Sequence, residues 1–114
     1  MSTATLRVDN KQLKLKTFEV NFNDASQEVL VPANANGVSH TLKSIYIQAT
    51  GTGAIEFYNS ADTSVPNVKI QLVAGAETAL VNGEFPFIAG QIITVKSSTA
   101  TPLGTAWIVL EERI

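Results

Sequence analysis

The sequence contains no cysteine and only one histidine, one methionine and one tryptophan. The missing thiols exclude disulfide staples, zinc–cysteine sites and cysteine nucleophiles, and leave the redox compartment unread. A lone His40 cannot make a histidine metal centre without a second strong ligand. Ser39 beside it would point to the opposite face of an extended strand, so the two cannot form a relay. No G-x-S-x-G elbow is present, and Gly51-Thr52-Gly53 lacks the lysine and helix of a phosphate loop. Acidic pairs are equally sparse. Glu111 and Glu112 are neighbours, hence on opposite strand faces and unsuited to paired-carboxylate hydrolysis. Asp24 with Glu28, and Asn59 with Asp62, lack the dense acidic spacing of a calcium loop and read as turn caps. We therefore expect no enzyme, no metal and no cofactor.

Charge is also scarce. Charged residues make up 16% of the chain, with ten acids against eight bases and a net charge of −2. That balance is wrong for tracking phosphates, so no nucleic-acid partner is expected. The chain has no apolar run of membrane-spanning length and no basic, then apolar, leader at its start, so no membrane partner is expected either.

What the chain does have is hydrophobic content of 45% spread over 114 residues, enough for one domain with its own core. Its apolar residues repeat every second position. Leu6 and Val8; Leu13 and Leu15; Phe18, Val20 and Phe22; Val68, Ile70 and Leu72 all alternate with polar neighbours, and no helical stripe survives interruption by Gly, Pro or β-branched clusters. Turn signals recur every 8 to 12 residues with no crossover helices. The fold class is all-β: an antiparallel β-sandwich of about eight strands, jelly-roll-like rather than immunoglobulin-like, since the cysteine pair is missing and Trp107 lies in the last strand.

Local register gives sharper expectations. A phase slip between Leu15 and Phe18 requires a bulge or a change of sheet. A three-residue loop at Thr50-Gly51-Thr52, with a glycine at positive φ, would make a hairpin that sets Ile47 against Ile55. Asn82-Gly83 signals a two-residue hairpin pairing Leu80 with Phe85, and Pro86 places that strand at an edge. Asn36-Gly37 and Ala74-Gly75-Ala76 are turns, and residues 59–67 form the longest exposed connection.

Residues 1–16 read as a basic N-terminal arm or ribbon, with Arg7, Lys11, Lys14 and Lys16 against Asp9, ahead of a sandwich domain over residues 17–114. These four cations are the candidate residues for docking on an acidic partner. Both faces of Trp107-Ile108-Val109-Leu110 and of Phe85-Pro86-Phe87-Ile88 are apolar, so Phe85, Phe87, Trp107 and Val109 are candidate oligomer-interface residues. Tyr46, Phe57, Tyr58 and Trp107 read first as core and interface aromatics. A stacking platform for sugar is the alternative.

The run from Val68 through Gly75 and Glu77 to Leu80, then Phe85-Pro86-Phe87, then Gly90 to Val95, together with the strand from Gly53 to Tyr58, resembles small β-sandwich accessory proteins of tailed bacteriophage virions. That resemblance implies a non-enzymatic capsid decoration or cement protein, trimeric, partnered by the major capsid protein or another virion protein and located in the virion after assembly in the host cytoplasm. A tail, baseplate or connector component is the second reading, and a carbohydrate-binding module using Tyr46, Tyr58 and Trp107 the third.

Overall fold

The computed structural model describes residues 1–34, 37–59, 65–80 and 85–113. They form ten strands: β1 (Thr3–Asn10), β2 (Leu15–Phe22), β3 (Glu28–Val31), β4 (Ser39–Ala49), β5 (Gly53–Tyr58), β6 (Val68–Leu72), β7 (Glu77–Leu80), β8 (Phe85–Pro86), β9 (Ile93–Ser97) and β10 (Gly104–Arg113). All pairings are antiparallel. One sheet runs β1-β2-β10-β4-β7 with β8 also on β4; the other runs β3-β9-β5-β6. From β2 onward the chain crosses repeatedly between sheets, which is jelly-roll connectivity.

Period two explains which residues meet inside. Phe18, Val20 and Phe22 of β2, Ile45 and Ile47 of β4, and Ala106, Ile108 and Leu110 of β10 face Ile55 and Phe57 of β5 and Ile93 and Val95 of β9 in one buried cluster. Strands whose side chains alternate this way bury one face and wet the other, so two such sheets stack apolar face to apolar face.

The sandwich contains more strands than the eight expected because the strand position beside β4 is shared by two short segments. Leu80 pairs with Ile45 and Phe85 with Leu42, so β7 and β8 follow one another along β4 rather than facing each other as a hairpin. The Asn82-Gly83 turn itself lies outside the described residues, as do Asn36, Asp62 and most of the 59–67 connection. Pro86 does sit on the edge segment, where its missing N–H costs no ladder bond.

Two other local expectations are corrected. Ile47 and Ile55 do not form a hairpin: β4 and β5 lie in different sheets, and the two isoleucines meet across the core. Residues 50–52 are therefore a corner between sheets, and among the described residues the glycines at positive φ are Gly37, Gly75, Gly90 and Gly104. Alternation in β2 is unbroken from Leu15 to Phe22, which puts Lys16 on the inward face opposite Leu110. The irregularity lies instead in β1, where Arg7 is the extra residue between Leu6–Phe18 and Val8–Thr17. A second bulge makes Lys43 the extra residue between Ser44–Val109 and Leu42–Leu110. The bulge in β4 keeps both Leu42 and Ile45 in the core across the shift in register, whereas Leu6 and Val8 on either side of the β1 bulge stay exposed.

The N-terminal segment is tied into the larger sheet. Ser2 is buried, and its hydroxyl donates to the Asp24 carbonyl (3.0 Å) and accepts from the Asn23 backbone N–H (3.1 Å). Asp24 also accepts from the Ser26 backbone N–H at 2.9 Å. Hydrogen bonds from Ser26, then the chain's amino group, hold its carboxyl well below the usual carboxylate range.

Candidate functional site

The basic residues of the first strand and hairpin are largely engaged within the chain. Arg7 Nε meets Glu19 Oε2 at 2.9 Å, Lys11 Nζ meets Asp9 Oδ2 at 3.0 Å, and Lys16 Nζ approaches Glu112 Oε2 at 3.8 Å. Lys14 occupies the left-handed region (φ 59°) in the turn of that hairpin, and its carbonyl accepts from the Glu112 backbone N–H at 2.8 Å.

The proposed interface aromatics do not form one surface. Phe87 is buried, its ring 6.3 Å from that of Phe57, because β8 delivers the chain back over the open end of the core. Phe85 stays exposed at the sheet edge, and Val109 is half-buried on the outer face beside Ser44 and Thr17. Tyr58 also leaves the surface. It is buried in the other sheet, its hydroxyl donates to Glu56 Oε1 at 3.2 Å, and Lys96 Nζ lies 5.8 Å from its ring centre. Burial, then the Glu56 carboxylate, pushes its phenol up. The trio Tyr46, Tyr58 and Trp107 is therefore not a platform, because strand parity and sheet membership separate Tyr58 from the other two.

His40 is buried on the inward face of β4, opposite Glu112 on β10, and its Nε2 has no hydrogen-bond partner. Burial, then the nearby Lys16 charge, pushes its pKa below the ordinary histidine value, while Glu112 opposes the shift. Among the described residues no three His, Cys, Asp or Glu side chains assemble into a metal-sized cluster. The sandwich interior is filled with aliphatic and aromatic side chains rather than lined for chemistry.

Tyr46 and Trp107 come together on the outer face of the larger sheet. They are direct cross-strand partners, and each is 42% exposed. Cross-strand partners have Cβ atoms about 4.5–5.5 Å apart, so their rings can form one apolar surface. The next row along the same face sets Gln48 against Thr105, with Asn21 on β2 beyond Thr105 and Glu77 on β7 beyond Gln48.

A cleft of about 390 Å³ opens at this point, lined by Asn23, Tyr46, Gln48, Thr50, Pro102, Gly104, Thr105 and Trp107. Its volume falls within the range of roughly 300–1,000 Å³ that small-molecule pockets occupy. The floor depends on Gly104, whose φ is +131° and whose missing Cβ would lie 2.6 Å from the Gln48 carbonyl oxygen. The corner residues Thr50 and Pro102 wall one end, where the Thr50 backbone N–H donates to the Leu103 carbonyl at 2.9 Å.

Among the described residues no charged side chain lines this cleft. Glu19, which pairs with Trp107 across β2 and β10, is held by Arg7. Thr105 Oγ1 donates to Asn21 Oδ1 at 2.6 Å, and Asn23 Nδ2 donates to the Met1 carbonyl at 3.1 Å. Among the described residues, the Tyr46 hydroxyl, the Trp107 indole N–H and the Gln48 amide make no hydrogen bond. The cleft thus couples two exposed rings to uncommitted neutral donors and acceptors.

The sequence singled out Tyr46 and Trp107 as core or interface aromatics, with a sugar-stacking platform as the alternative, but alternation could not reveal that they were neighbours. Gln48, Thr50, Asn23 and Thr105 carried no motif and were missed. Their only sequence signal was the polar phase of Tyr46-x-Gln48 and of Thr105-x-Trp107 around inward Ile47 and Ala106.

No protein-family model matches the chain, and no curated protein matches it. Solved structures do. An HTH_3 family transcriptional regulator from Vibrio cholerae is 14% identical, with a TM-score of 0.50 over 99% of this chain and 52% of the regulator. The chain thus spans about half the length of that regulator. A Bacillus endospore appendage that forms disulfide-linked pili is 14% identical, with a TM-score of 0.50 over 96% of this chain and 88% of that one. The Cupin_2 domain of an XRE family regulator from Enterobacter cloacae is 10% identical, with a TM-score of 0.47 over 99% of this chain and 98% of that domain.

These findings overturn the virion reading, including capsid or tail placement, capsid partners, trimerisation and location in the particle. The two structures that reach a TM-score of 0.50 here are a transcriptional regulator and a spore pilus protein, neither of them a virion protein. The rhythm that suggested a virion protein has a simpler cause. A strand, a Gly75 turn, two edge segments around Phe85-Pro86-Phe87, a Gly90 turn and a β-branched strand make up one stretch of jelly-roll winding. Such winding is a property of the fold and identifies no partner. The chain is an all-β, antiparallel jelly-roll sandwich with the fold of these proteins.

Proposed function

We propose that this chain is a small-molecule-binding jelly-roll domain that takes a neutral ligand in the Tyr46–Trp107 cleft and performs no chemistry on it. The observation that carries this reading is the exposed aromatic pair beside a Gln48 amide, an indole N–H and a phenol that form no hydrogen bonds with the described residues. Exposed rings gain by shedding water, and unpaired polar groups can exchange water for a ligand at little cost. Binding without turnover is supported by the lining. It holds no histidine, carboxylate or lysine to move a proton, and His40 is buried near the other end of β4.

The indole N–H resonance of Trp107 tests this directly, because the chain has no other tryptophan. A screen of neutral small molecules is expected to move that resonance together with the backbone amides of Gln48 and Thr105. Binders that instead perturb residues of the core or the β3-β9-β5-β6 sheet, with Trp107 unmoved, would sink the proposal.

A further inference from the structure

Resting on that reading of the cleft, we infer that its ligand is a small neutral ring rich in hydroxyl groups, a cyclic polyol or a single sugar ring, stacked against Trp107 and Tyr46. The two rings present negative π faces, which attract the weakly positive C–H edge of a saturated ring. The polar lining then selects among molecules with such a face. Gln48 offers both an amide donor and a carbonyl acceptor, Thr50 and Tyr46 offer hydroxyls, and Trp107 offers a donor only. A ligand hydroxyl can donate or accept, so several on one ring can match that mixture.

Charge excludes the obvious competitors. An anion would find no Arg or Lys in the lining and would meet Glu77 beyond Gln48, while Glu19 beside Trp107 is already paired with Arg7. An organic cation would be drawn to the rings but would find no carboxylate in the lining, and Glu19 already accepts from Arg7. A flat aromatic ligand could stack, yet it would leave most of the lining's donors and acceptors unanswered.

The experiment uses the intact chain, isotopically labelled, titrated separately with myo-inositol, glucose, N-acetylglucosamine, tetramethylammonium and adenosine. The expected result is saturable movement of the Trp107 indole and the Gln48 and Thr105 amides by at least one of the first three. Trp107→Ala should weaken that binding at least tenfold by calorimetry, Trp107→Phe should restore part of it, and Gln48→Ala should weaken it severalfold. Both positions are surface-exposed, so unchanged melting midpoints will show that the variants fold. Movement by adenosine alone would overturn the ligand class and leave the neutral-ligand reading of the cleft standing, whereas movement by tetramethylammonium alone would overturn both. Absence of any movement at these residues would overturn both.

Discussion

At the scale of single residues, His40 is the group whose environment departs furthest from what its neighbours in sequence suggest. It is 4% exposed, with Lys16 on β2 and Glu112 on β10 as the charged groups facing it. Its folded pKa lies below the ordinary 6.5, whereas the unfolded chain titrates near that value. Below about that pH the unfolded state therefore binds a proton that the folded state refuses. Stability should be full above pH 6.5 and decline as the pH falls towards the depressed folded value. His40→Leu should flatten that part of a melting-temperature profile; an unchanged slope would mean that His40 binds its proton alike in the folded and the unfolded chain. Phe57 gives a plainer prediction. It is fully buried against Phe87, so Phe57→Ala should lower stability by about 3–5 kcal/mol in denaturant titrations. The inward phase of Phe57 was legible from Ile55-x-Phe57; that of Leu42 was hidden, because the bulge at Lys43 puts it out of phase with Ile45 and Ile47. The inward placement of Lys16 and the burial of His40 and Tyr58 were not legible either, because each is set by a partner strand distant in sequence.

At the scale of elements, most strands follow from alternation bounded by turn residues, and their mistakes are instructive. Ile45-x-Ile47 and Ile55-x-Phe57 look like two arms of one hairpin because alternation reports which residues share a face, without reporting which strand lies alongside. Gly51 shows why the corner forms instead: a Cβ there would meet the Pro102 carbonyl oxygen at 2.4 Å, so residues 50–52 pack beneath the approach to β10. Gly104 has a similar role at the start of β10. Gly104→Ala would force a side chain into left-handed backbone and against the Gln48 carbonyl, and is expected to cost at least about 1–3 kcal/mol. Thermal melting measures that loss. Hydrogen exchange should place the new openings in the first residues of β10 and the last of β4; uniform destabilisation would contradict the local cause.

At the scale of the whole molecule, stability comes from two apolar faces brought together by pairings between distant segments. Phe18 lies beside Ile108, and Tyr46 beside Trp107. Chains dominated by such contacts close large loops before the contacts reward them, so refolding is expected in the millisecond-to-second range rather than in microseconds. Stopped-flow fluorescence will report it. Metal removal tests a different aspect of the same architecture. With no grouping of three metal-ligating side chains among the described residues, chelation by EDTA should leave the melting temperature unchanged. A drop of several degrees would reveal a structural ion.

The sequence by itself determined the class of the fold and the inward or outward direction of most strand residues. Side chains alternate strictly along an extended backbone, and burial rewards only one of the two phases. Scarcity of reactive groups was equally local information, since a residue type that is missing cannot be supplied by folding. Only the tertiary structure decided which outward residues are neighbours. The Tyr46–Trp107 cleft exists because β4 and β10 pair in one register, and that register is selected by the whole core of Ile45, Ile47, Ala106 and Ile108 beneath it rather than by either aromatic residue.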